Sequence, residues 1–380
     1  MRQVDRVEIN AANASWPVQL DRCTQYELSR DLTGPSEARF ELGDDGAFGD
    51  LKRVLEHGAK YLVTVNRKPW VTGRLLTRAV AASAGGGSTI QLTVRSRLAD
   101  AMFASCDPKL VVAKLQLKAL IVDAYATLGL TERDLLFIDV TDRDVLTGAV
   151  ARGEAAVPGE KRGQFKVMFP EEAKVHAPES VYQYTERHLN RFGLTQWDLP
   201  DGRIAIGAPN DRQAPAYRFR CLRGAGRNQG NNVLNVQRQE DYEQVPEELF
   251  LAGFGSGFNV NFAAVKSTVK DPLLQQVKPG LRRRVIVADG GIWSQGMADS
   301  RARKEMAARS RQKDAYVLEV DGWSQDGTVF DVNTVADIHV DTAGVPSGPH
   351  PVWRAELSGS ASNGHTARLY TVAQGIWRLS

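Results

Sequence analysis

The sequence contains one glycine-rich segment that could bind a phosphate group. Gly253, Gly255 and Gly257 alternate with Phe and Ser. A phosphate-binding loop also needs a Lys-Ser or Lys-Thr pair at the start of the next helix, and a dinucleotide-binding loop needs a βαβ unit. Residues 258–263, which follow the glycines, provide neither feature. We therefore predict a surface loop here and no cofactor.

Three aspartates, Asp139, Asp142 and Asp144, are close enough in sequence to suggest a calcium loop. A calcium loop of the EF-hand type needs a glycine at its sixth position and a glutamate at its twelfth. Counted from Asp139, those positions hold Asp144 and Val150. The spacing therefore predicts a solvated turn, and we predict no metal site in the chain.

Nucleophilic and acid–base residues do not form a recognised catalytic motif. Cys23, Cys106 and Cys221 are far apart, which is typical of reduced, buried thiols and not of a disulfide framework or zinc site. None of the six histidines lies in an HExxH zinc motif, and the chain has no GxSxG nucleophile elbow. His188 falls among apolar residues of a predicted helix, as a core histidine does. We therefore predict no catalytic residue and a protein that is not an enzyme.

Basic residues are concentrated in segment 281–313, where nine Lys and Arg outnumber three Asp and Glu. Trp293 is the one aromatic residue of this segment, whereas nucleic-acid-binding segments usually interleave several aromatic residues for stacking. The pattern favours a solvated helix face or a face that docks on an acidic partner. An acidic stretch at 240–248 provides such a partner on another copy or domain. The candidate contacts with a subunit or partner are Arg301, Arg303 and Arg309.

The composition is that of a folded chain with a sizeable core. The chain has 380 residues, of which 42% are hydrophobic and 24% charged, and its formal net charge is +3. This length predicts two or three domains. No apolar run is long enough to span a membrane, and residues 1–16 lack the apolar centre of a secretion signal. We therefore expect no membrane insertion and folding in the cytoplasm.

Apolar periodicity predicts strands at both ends of the chain and helices between them. Residues 1–100 and 316–372 contain short alternating segments separated by turns rich in Gly, Pro and Asn. Three helices are predicted, within 108–128, 178–193 and 289–313. The pattern predicts an α+β, mainly β fold, with two small barrel-like β domains flanking a helix-containing α/β middle region. The predicted domains are an N-terminal β domain at 1–105, the middle region at 106–225, and a C-terminal β domain preceded by a basic helix at 226–380.

Three stretches of the chain, taken in their order along the sequence, resemble the pattern of a known protein family. The first is a pair of strands at 70–76 and 89–94, followed by Arg95-Ser-Arg-Leu-Ala-Asp100, and the second is the helix and turn at 179–206. The third is the Arg- and Ala-rich helix at 298–311, which leads into strands at 316–323 and 368–372. In this order the stretches resemble the central baseplate-hub proteins of contractile phage tails, as a Mu-like tail protein and, more distantly, the late control gene D family. Segments 147–164 and 253–290 do not take part in the resemblance.

The resemblance implies a structural hub without catalysis. Three copies would form a homotrimer in which six barrel-like domains make a ring between a six-fold tail tube and a three-fold spike. The implied partners are the tail spike protein, the tail tube protein and baseplate wedge proteins, with viral DNA passing through the lumen without sequence-specific binding. The implied location is the virion tail baseplate, after assembly in the host cytoplasm. Two alternatives remain open: a tail-associated peptidoglycan-degrading enzyme, and the hub of a bacterial contractile injection system.

Overall fold

A computed structural model describes most of the chain. The described residues are 7–11, 17–19, 23–44, 58–83, 87–110, 116–138, 140, 174–224, 230–243, 245–253, 263–271, 274, 283–292, 294–313, 315–341, 343–360 and 364–375. The aspartates of the candidate calcium loop and segment 147–164 lie outside these ranges. So does the glycine-rich loop, apart from Gly253.

The described strands fall into two blocks with helices between and within them. The first block comprises β1 (Val7–Ala11), β2 (Pro17–Gln19), β3 (Cys23–Asp31), β4 (Glu37–Asp44), β5 (Lys60–Val65), β6 (Lys68–Ser83) and β7 (Gly87–Ser96). The later strands are β8 (Leu135–Phe137), β9 (Thr195–Asp198), β10 (Ile204–Gly207), β11 (Tyr217–Cys221), β12 (Val233–Gln239), β13 (Glu248–Gly253), β14 (Val265–Lys270), β15 (Arg284–Asp289), β16 (Ala315–Asp321), β17 (Ser324–Gln325), β18 (Thr328–Val329), β19 (Thr334–Val340), β20 (Gly348–Ser360) and β21 (Gly364–Val372). The described helices are α1 (Arg97–Phe103), α2 (Leu117–Ala126), α3 (Val181–Arg191) and α4 (Gln295–Lys313), with a 3₁₀ turn at Glu132–Asp134.

Thirteen strands form one large sheet that contains strands from both ends of the chain. Its main path is β12-β16-β21-β20-β3-β4-β7-β6-β5-β1-β2, with β19 also paired to β20 and β11 paired to β19. The antiparallel pairing of β3 with β20 joins the first block to the last strands. The described strands form an open sheet and do not close into a barrel.

Alternation of side chains gives this sheet two different faces. In β4, Ala38, Phe40 and Leu42 are buried, whereas Glu37 and Arg39 point to the opposite face. Successive side chains of a strand lie on opposite sides of the sheet, so one face becomes apolar and the other polar. The apolar face covers a core whose largest side chains are Trp70, Trp197, Trp323, Tyr61, Tyr217, Tyr316, Phe40, Phe219 and Phe330.

The helices and two small sheets form a second hydrophobic core. One small sheet has the strand order β8-β10-β9, and the other has the order β14-β13-β15. α3 packs against α1, α2, α4 and β9, and α4 packs against β13 and β14. Tyr184, Leu189 and Met306 are wholly buried at the centre of this arrangement. The second core therefore fixes the position of α4, which carries the candidate contact residues.

The helices lie close to the positions that the sequence predicts. α3 begins at Val181, after Ser180, whose hydroxyl accepts a hydrogen bond from the Gln183 backbone N at 3.1 Å, so the predicted opening at Pro178 is three residues early. Gly193 follows the helix with a φ of 70°, as a C-terminal glycine does. α2 occupies only the second half of the predicted 108–128 helix, because residues 108–110 form a turn and part of the intervening segment is not described.

The architecture confirms the predicted α+β, mainly β class. Strands from both ends of the chain lie in one sheet, and the helices lie with the smaller sheets. The division into domains at 1–105, 106–225 and 226–380 stays a prediction.

Candidate assembly surface

The pairing of β3 with β20 joins the two β blocks through seven residue pairs, from Arg354 opposite Asp31 to Ser360 opposite Gln25. Within it, Gly359 lies opposite the ring of Tyr26. A Cβ atom built on Gly359 would lie only 2.0 Å from the Tyr26 hydroxyl oxygen. A glycine is therefore required at this position, and the close approach defines the register of the joint.

The Tyr26 ring is held in place by two aromatic neighbours from the last part of the chain. Its centroid lies 5.1 Å from that of Trp323 in an edge-on arrangement, and its hydroxyl oxygen is 2.5 Å from His365 Nδ1. Trp323 is wholly buried, and its indole N–H donates to the backbone oxygen of Ser358 on β20. The joint thus has an aromatic cluster on the core side of the sheet.

A buried arginine connects three parts of the fold beneath this joint. Arg30 of β3 is 2% exposed and donates hydrogen bonds to Asp331 Oδ1 at 2.5 Å and to the backbone oxygen of Asp198 at 2.7 Å. Asp198 Oδ2 in turn accepts hydrogen bonds from Ser36 N at 2.9 Å and from the Ser96 hydroxyl. Burial raises the pKa of Asp198, although these hydrogen bonds and the Arg30 charge oppose the rise. The network links the first β block, β9 and the loop after β18.

Sequence reasoning missed this network. Tyr26, Leu28, Arg30 and Leu32 are all buried, and Tyr26, Leu28 and Arg30 share the inward face of one strand. An arginine at an inward position of an alternating strand was the signal that could have indicated a buried ion pair.

The outward face of the large sheet is polar, and several of its arginines have carboxylate partners on the same face. Arg218 and Arg220 of β11 are exposed and have no carboxylate partner within the described residues. Arg95 Nε lies 2.5 Å from Glu37, and Arg368 Nε lies 3.8 Å from Glu319. Cross-strand pairs of opposite charge stabilise a sheet modestly and neutralise its surface. Ion pairs on this face include those of Arg39 and Arg95 with Glu37, Arg354 with Glu356, and Arg368 with Glu319.

The three candidate contact residues occupy different environments on α4. Arg301 and Arg309 both contact Glu305, at distances of 3.4 Å from Nη2 to Oε2 and 3.1 Å from Nε to Oε1 respectively. Arg303 is exposed and has no carboxylate partner within the described part of the chain. The structure therefore brings Arg301 and Arg309 together around one glutamate and leaves Arg303 on the surface.

Two lysines of α4 form ion pairs with carboxylates of the same chain. Lys304 Nζ donates to Glu186 Oε1 of α3 at 2.8 Å. Lys313 Nζ donates to Asp271 Oδ2 at 2.6 Å, and both of these side chains are buried. Much of the basic character of segment 281–313 is therefore neutralised within the chain, as expected for a helix that docks on its own protein.

The histidine and the thiol nearest to the second core lie in positions that disfavour acid–base or nucleophilic chemistry. His188 is wholly buried, and burial, with the nearby Arg191 charge, lowers its pKa well below the ordinary value. Burial also raises the pKa of the Cys106 thiol to about 11, so the nucleophilic thiolate is scarce at neutral pH. In the ranges that the structure describes, no group of three His, Cys, Asp or Glu side chains is arranged to hold a metal ion. The described helices include none that is long and apolar enough to cross a membrane.

The fold is similar to those of solved tail proteins. The tail protein from Neisseria meningitidis MC58 superposes with a TM-score of 0.74 at 15% identity, over 99% of this chain and 98% of that one. The 43 kDa tail protein of prophage MuSo2 from Shewanella oneidensis gives 0.69 at 15% identity, over 98% and 99% of the two chains. The Escherichia coli c3393 protein, a component of the type VI secretion system, gives 0.54 at 8% identity, over 96% of this chain and 76% of that one.

Sequence comparison alone does not find these relationships. No protein-family model matches the chain, and no curated protein matches it in sequence. The likeness extends over nearly the full length of both tail proteins, and it includes a Mu-type prophage protein, as the three sequence stretches suggest. The chain therefore has the fold of phage tail proteins, and the resemblance to Mu-like tail proteins is confirmed at the level of the fold.

Proposed function

We propose that this chain is a structural baseplate hub of a phage tail, in which three copies form a ring between the tail tube and the central spike. Its other neighbours are baseplate wedge proteins, and viral DNA passes through the ring. The protein assembles in the host cytoplasm, acts in the virion tail and catalyses no reaction. The likeness to two tail proteins over nearly their whole length supports this role.

The observation that carries the proposal is the edge-to-edge joint between the two β blocks. Within one chain, β3 and β20 already place both blocks side by side in one sheet. At the ends of the described path, β12 and β2 each have one neighbouring strand, so each has an edge that another chain can use. Three chains joined in this way present six β blocks around one axis, which matches a six-fold tube to a three-fold spike.

One part of the polar face, where the arginines of β4, β7, β20 and β21 are paired with carboxylates, suits the wall of a DNA channel. Free arginines would hold DNA phosphates, whereas arginines paired with carboxylates on the same face compete poorly for them. Glu37→Gln and Glu356→Gln remove the partners of Arg95 and Arg354. We expect the double variant to bind non-specific duplex DNA more tightly than the wild type, with a steeper salt dependence, in a gel-shift titration. Equal binding by the two proteins would contradict the assignment of this face to the lumen.

Arg303 provides a test of the subunit contact on α4. We expect Arg303→Glu to shift the solution mass from three chains toward one, without lowering the thermal midpoint, because the change breaks no described ion pair. Lys109→Glu, a charge reversal of the same size at an exposed loop position, is the control and should leave the mass unchanged. An unchanged mass for Arg303→Glu would remove Arg303 as a contact.

Arg301 and Arg309 belong to the same proposed contact but need a different interpretation. Reversing either charge places a second carboxylate beside Glu305, so the helix is destabilised as well. A lower mass for these variants counts in favour of the contact only where the thermal midpoint is retained.

A second candidate function is the hub of a bacterial contractile injection system. The similarity to the type VI secretion component from Escherichia coli supports it. The two functions differ in cargo, because a phage tail is attached to a DNA-filled capsid. Sedimentation of native particles that carry this chain distinguishes them: co-sedimentation with packaged DNA supports the phage tail, and particles without DNA support the injection system.

A further inference from the structure

A cavity of about 270 Å³, lined by both charged and apolar groups, lies between α3 and α4 and is partly open to the surface. Its lining residues recur every three or four positions on each helix, so each helix contributes one stripe of side chains. Gly193, Ala307 and Ala308 provide the space because they have small or no side chains. The ionisable and polar lining side chains that matter here are Tyr182, Glu186, Arg301, Lys304, Glu305 and Arg311.

Positive charge exceeds negative charge in this cavity. Three cations, Arg301, Lys304 and Arg311, line it together with two carboxylates, Glu186 and Glu305. Glu186 pairs with Lys304 at 2.8 Å. One carboxylate oxygen of Glu305 pairs with Arg301, and the other pairs with Arg309, which lies outside the cavity lining. Burial lowers the pKa of Lys304, and the neighbouring Arg301 and Arg311 charges add to this effect although Glu186 opposes it. An anion between these cations would relieve their mutual repulsion.

The cavity is lined by residues whose buried polar atoms include some that make no hydrogen bond within the described chain. Among them are Arg301 Nε, a donor, and Glu186 Oε2, an acceptor. A buried donor without an acceptor is costly, particularly when it belongs to a charged group. The space equals the liquid volume of about nine water molecules, which is enough for one oxyanion and several waters.

We propose that this cavity binds an oxyanion, either a carboxylate or a phosphate group. The anion accepts hydrogen bonds from Arg301 Nε and from the ammonium or guanidinium groups of Lys304 and Arg311. Ordered water separates it from Glu186 and donates to Glu186 Oε2. The ligand is a free phosphate ion or the carboxylate of an acidic side chain on a second copy. This site does not depend on the proposed baseplate role, since it is formed within one chain.

Inorganic phosphate is the probe that tests the site. Thermal unfolding and solution mass are measured as phosphate replaces chloride at matched ionic strength. We expect a saturable change with phosphate, and Arg301→Gln should weaken the apparent affinity by about tenfold or more, the loss expected for one charge-assisted hydrogen bond. Arg223→Gln removes the same charge from an exposed turn away from the cavity and should retain the phosphate effect.

A second variant keeps the test valid if Arg301→Gln folds poorly. Ala308→Leu fills the cavity without removing a charge, so it should also abolish the phosphate effect in a folded protein. A phosphate-dependent rise in the thermal midpoint without a change of mass identifies a free anion as the ligand. Phosphate-dependent dissociation identifies a carboxylate from a second copy. The proposal is overturned if phosphate changes neither quantity beyond chloride, or if Arg301→Gln and Arg223→Gln respond equally.

Discussion

Gly359→Ala tests the joint between the two β blocks, because a methyl group at this position collides with Tyr26. The added Cβ would lie 2.0 to 2.5 Å from three atoms of the Tyr26 side chain, well inside van der Waals contact. The ring has little freedom to move, since it is 9% exposed and packs against Trp323 and His365. Overpacking of a filled core typically costs about 1–3 kcal/mol, and we expect a value near the upper end. The measurement is the free energy of unfolding in urea.

A double-mutant cycle with Tyr26→Ala separates this collision from other effects. Tyr26→Ala alone should cost about 3–5 kcal/mol, as truncations of large buried aromatic side chains do. In that background the methyl group added at Gly359 has room, so Gly359→Ala should add less than about 1 kcal/mol and the two changes should be strongly non-additive.

Gly43→Ala is the matched control for this experiment. Gly43 also lies in a strand of the large sheet, but the nearest atom to its added Cβ is 3.9 Å away. We expect a change within about 1 kcal/mol, and reduced freedom of the unfolded chain makes a small gain possible. The register of β3 against β20 would be refuted if Gly359→Ala were as mild as Gly43→Ala, or if its cost were unchanged in the Tyr26→Ala background.

Three further predictions concern the buried arginine, an acid-sensitive turn and catalysis. Arg30→Ala should lower the free energy of unfolding by about 2–4 kcal/mol, because it leaves the buried backbone oxygen of Asp198 and the partly buried Asp331 carboxylate without their donor. Burial opposes ionisation of Asp134, but hydrogen bonds from Thr131 and Arg97 outweigh it and hold the Asp134 pKa at about 2. The ionised Asp134 carboxylate therefore stabilises the fold above the unfolded pKa near 3.8, and this contribution is lost as the pH falls toward 2. Asp134→Asn should cost about 1–2 kcal/mol of unfolding free energy at pH 6, after allowance for partial exposure, and progressively less below pH 4. The purified protein should give no clearing of cell-wall substrate in a zymogram.

Each of these predictions has an outcome that contradicts it. A loss below about 0.5 kcal/mol for Arg30→Ala would place that arginine among ordinary surface residues. A cost of Asp134→Asn that does not shrink in acid would exclude the ion-paired carboxylate as its source, and Asp326→Asn at an exposed turn is the control for a general effect of charge. A clear zone that persists with pure protein would favour the peptidoglycan-degrading enzyme over the structural hub.

Local features of the fold could be predicted because their causes are local. Alternation of apolar and polar residues indicated the strands, and Asn66, which follows β5, takes a φ of 51° in one of the turns between them. The basic helix was predicted within 289–313 and occupies Gln295–Lys313. Helix ends followed from glycines such as Gly129 and Gly193, which take positive φ values beyond α2 and α3.

Long-range features could not be predicted in the same way. The pairing of Tyr26 with Gly359 joins residues more than 300 positions apart, and no local pattern determines such a register. The same holds for Arg30 and Asp331, whose pairing depends on two distant segments meeting in the core. The charge of the basic helix was visible in the sequence, but its internal pairing, for example between Lys304 and Glu186, required the packing of α3 on α4.

Electron microscopy of the purified protein tests the central claim most directly. Two-dimensional class averages should show a ring of three chains, about 125 kDa as three times 41.7 kDa, with six similar lobes around an open centre. The open centre is the feature that DNA passage requires. Particles of a single chain, particles with two-fold symmetry, or three-chain particles with a closed centre would contradict the account.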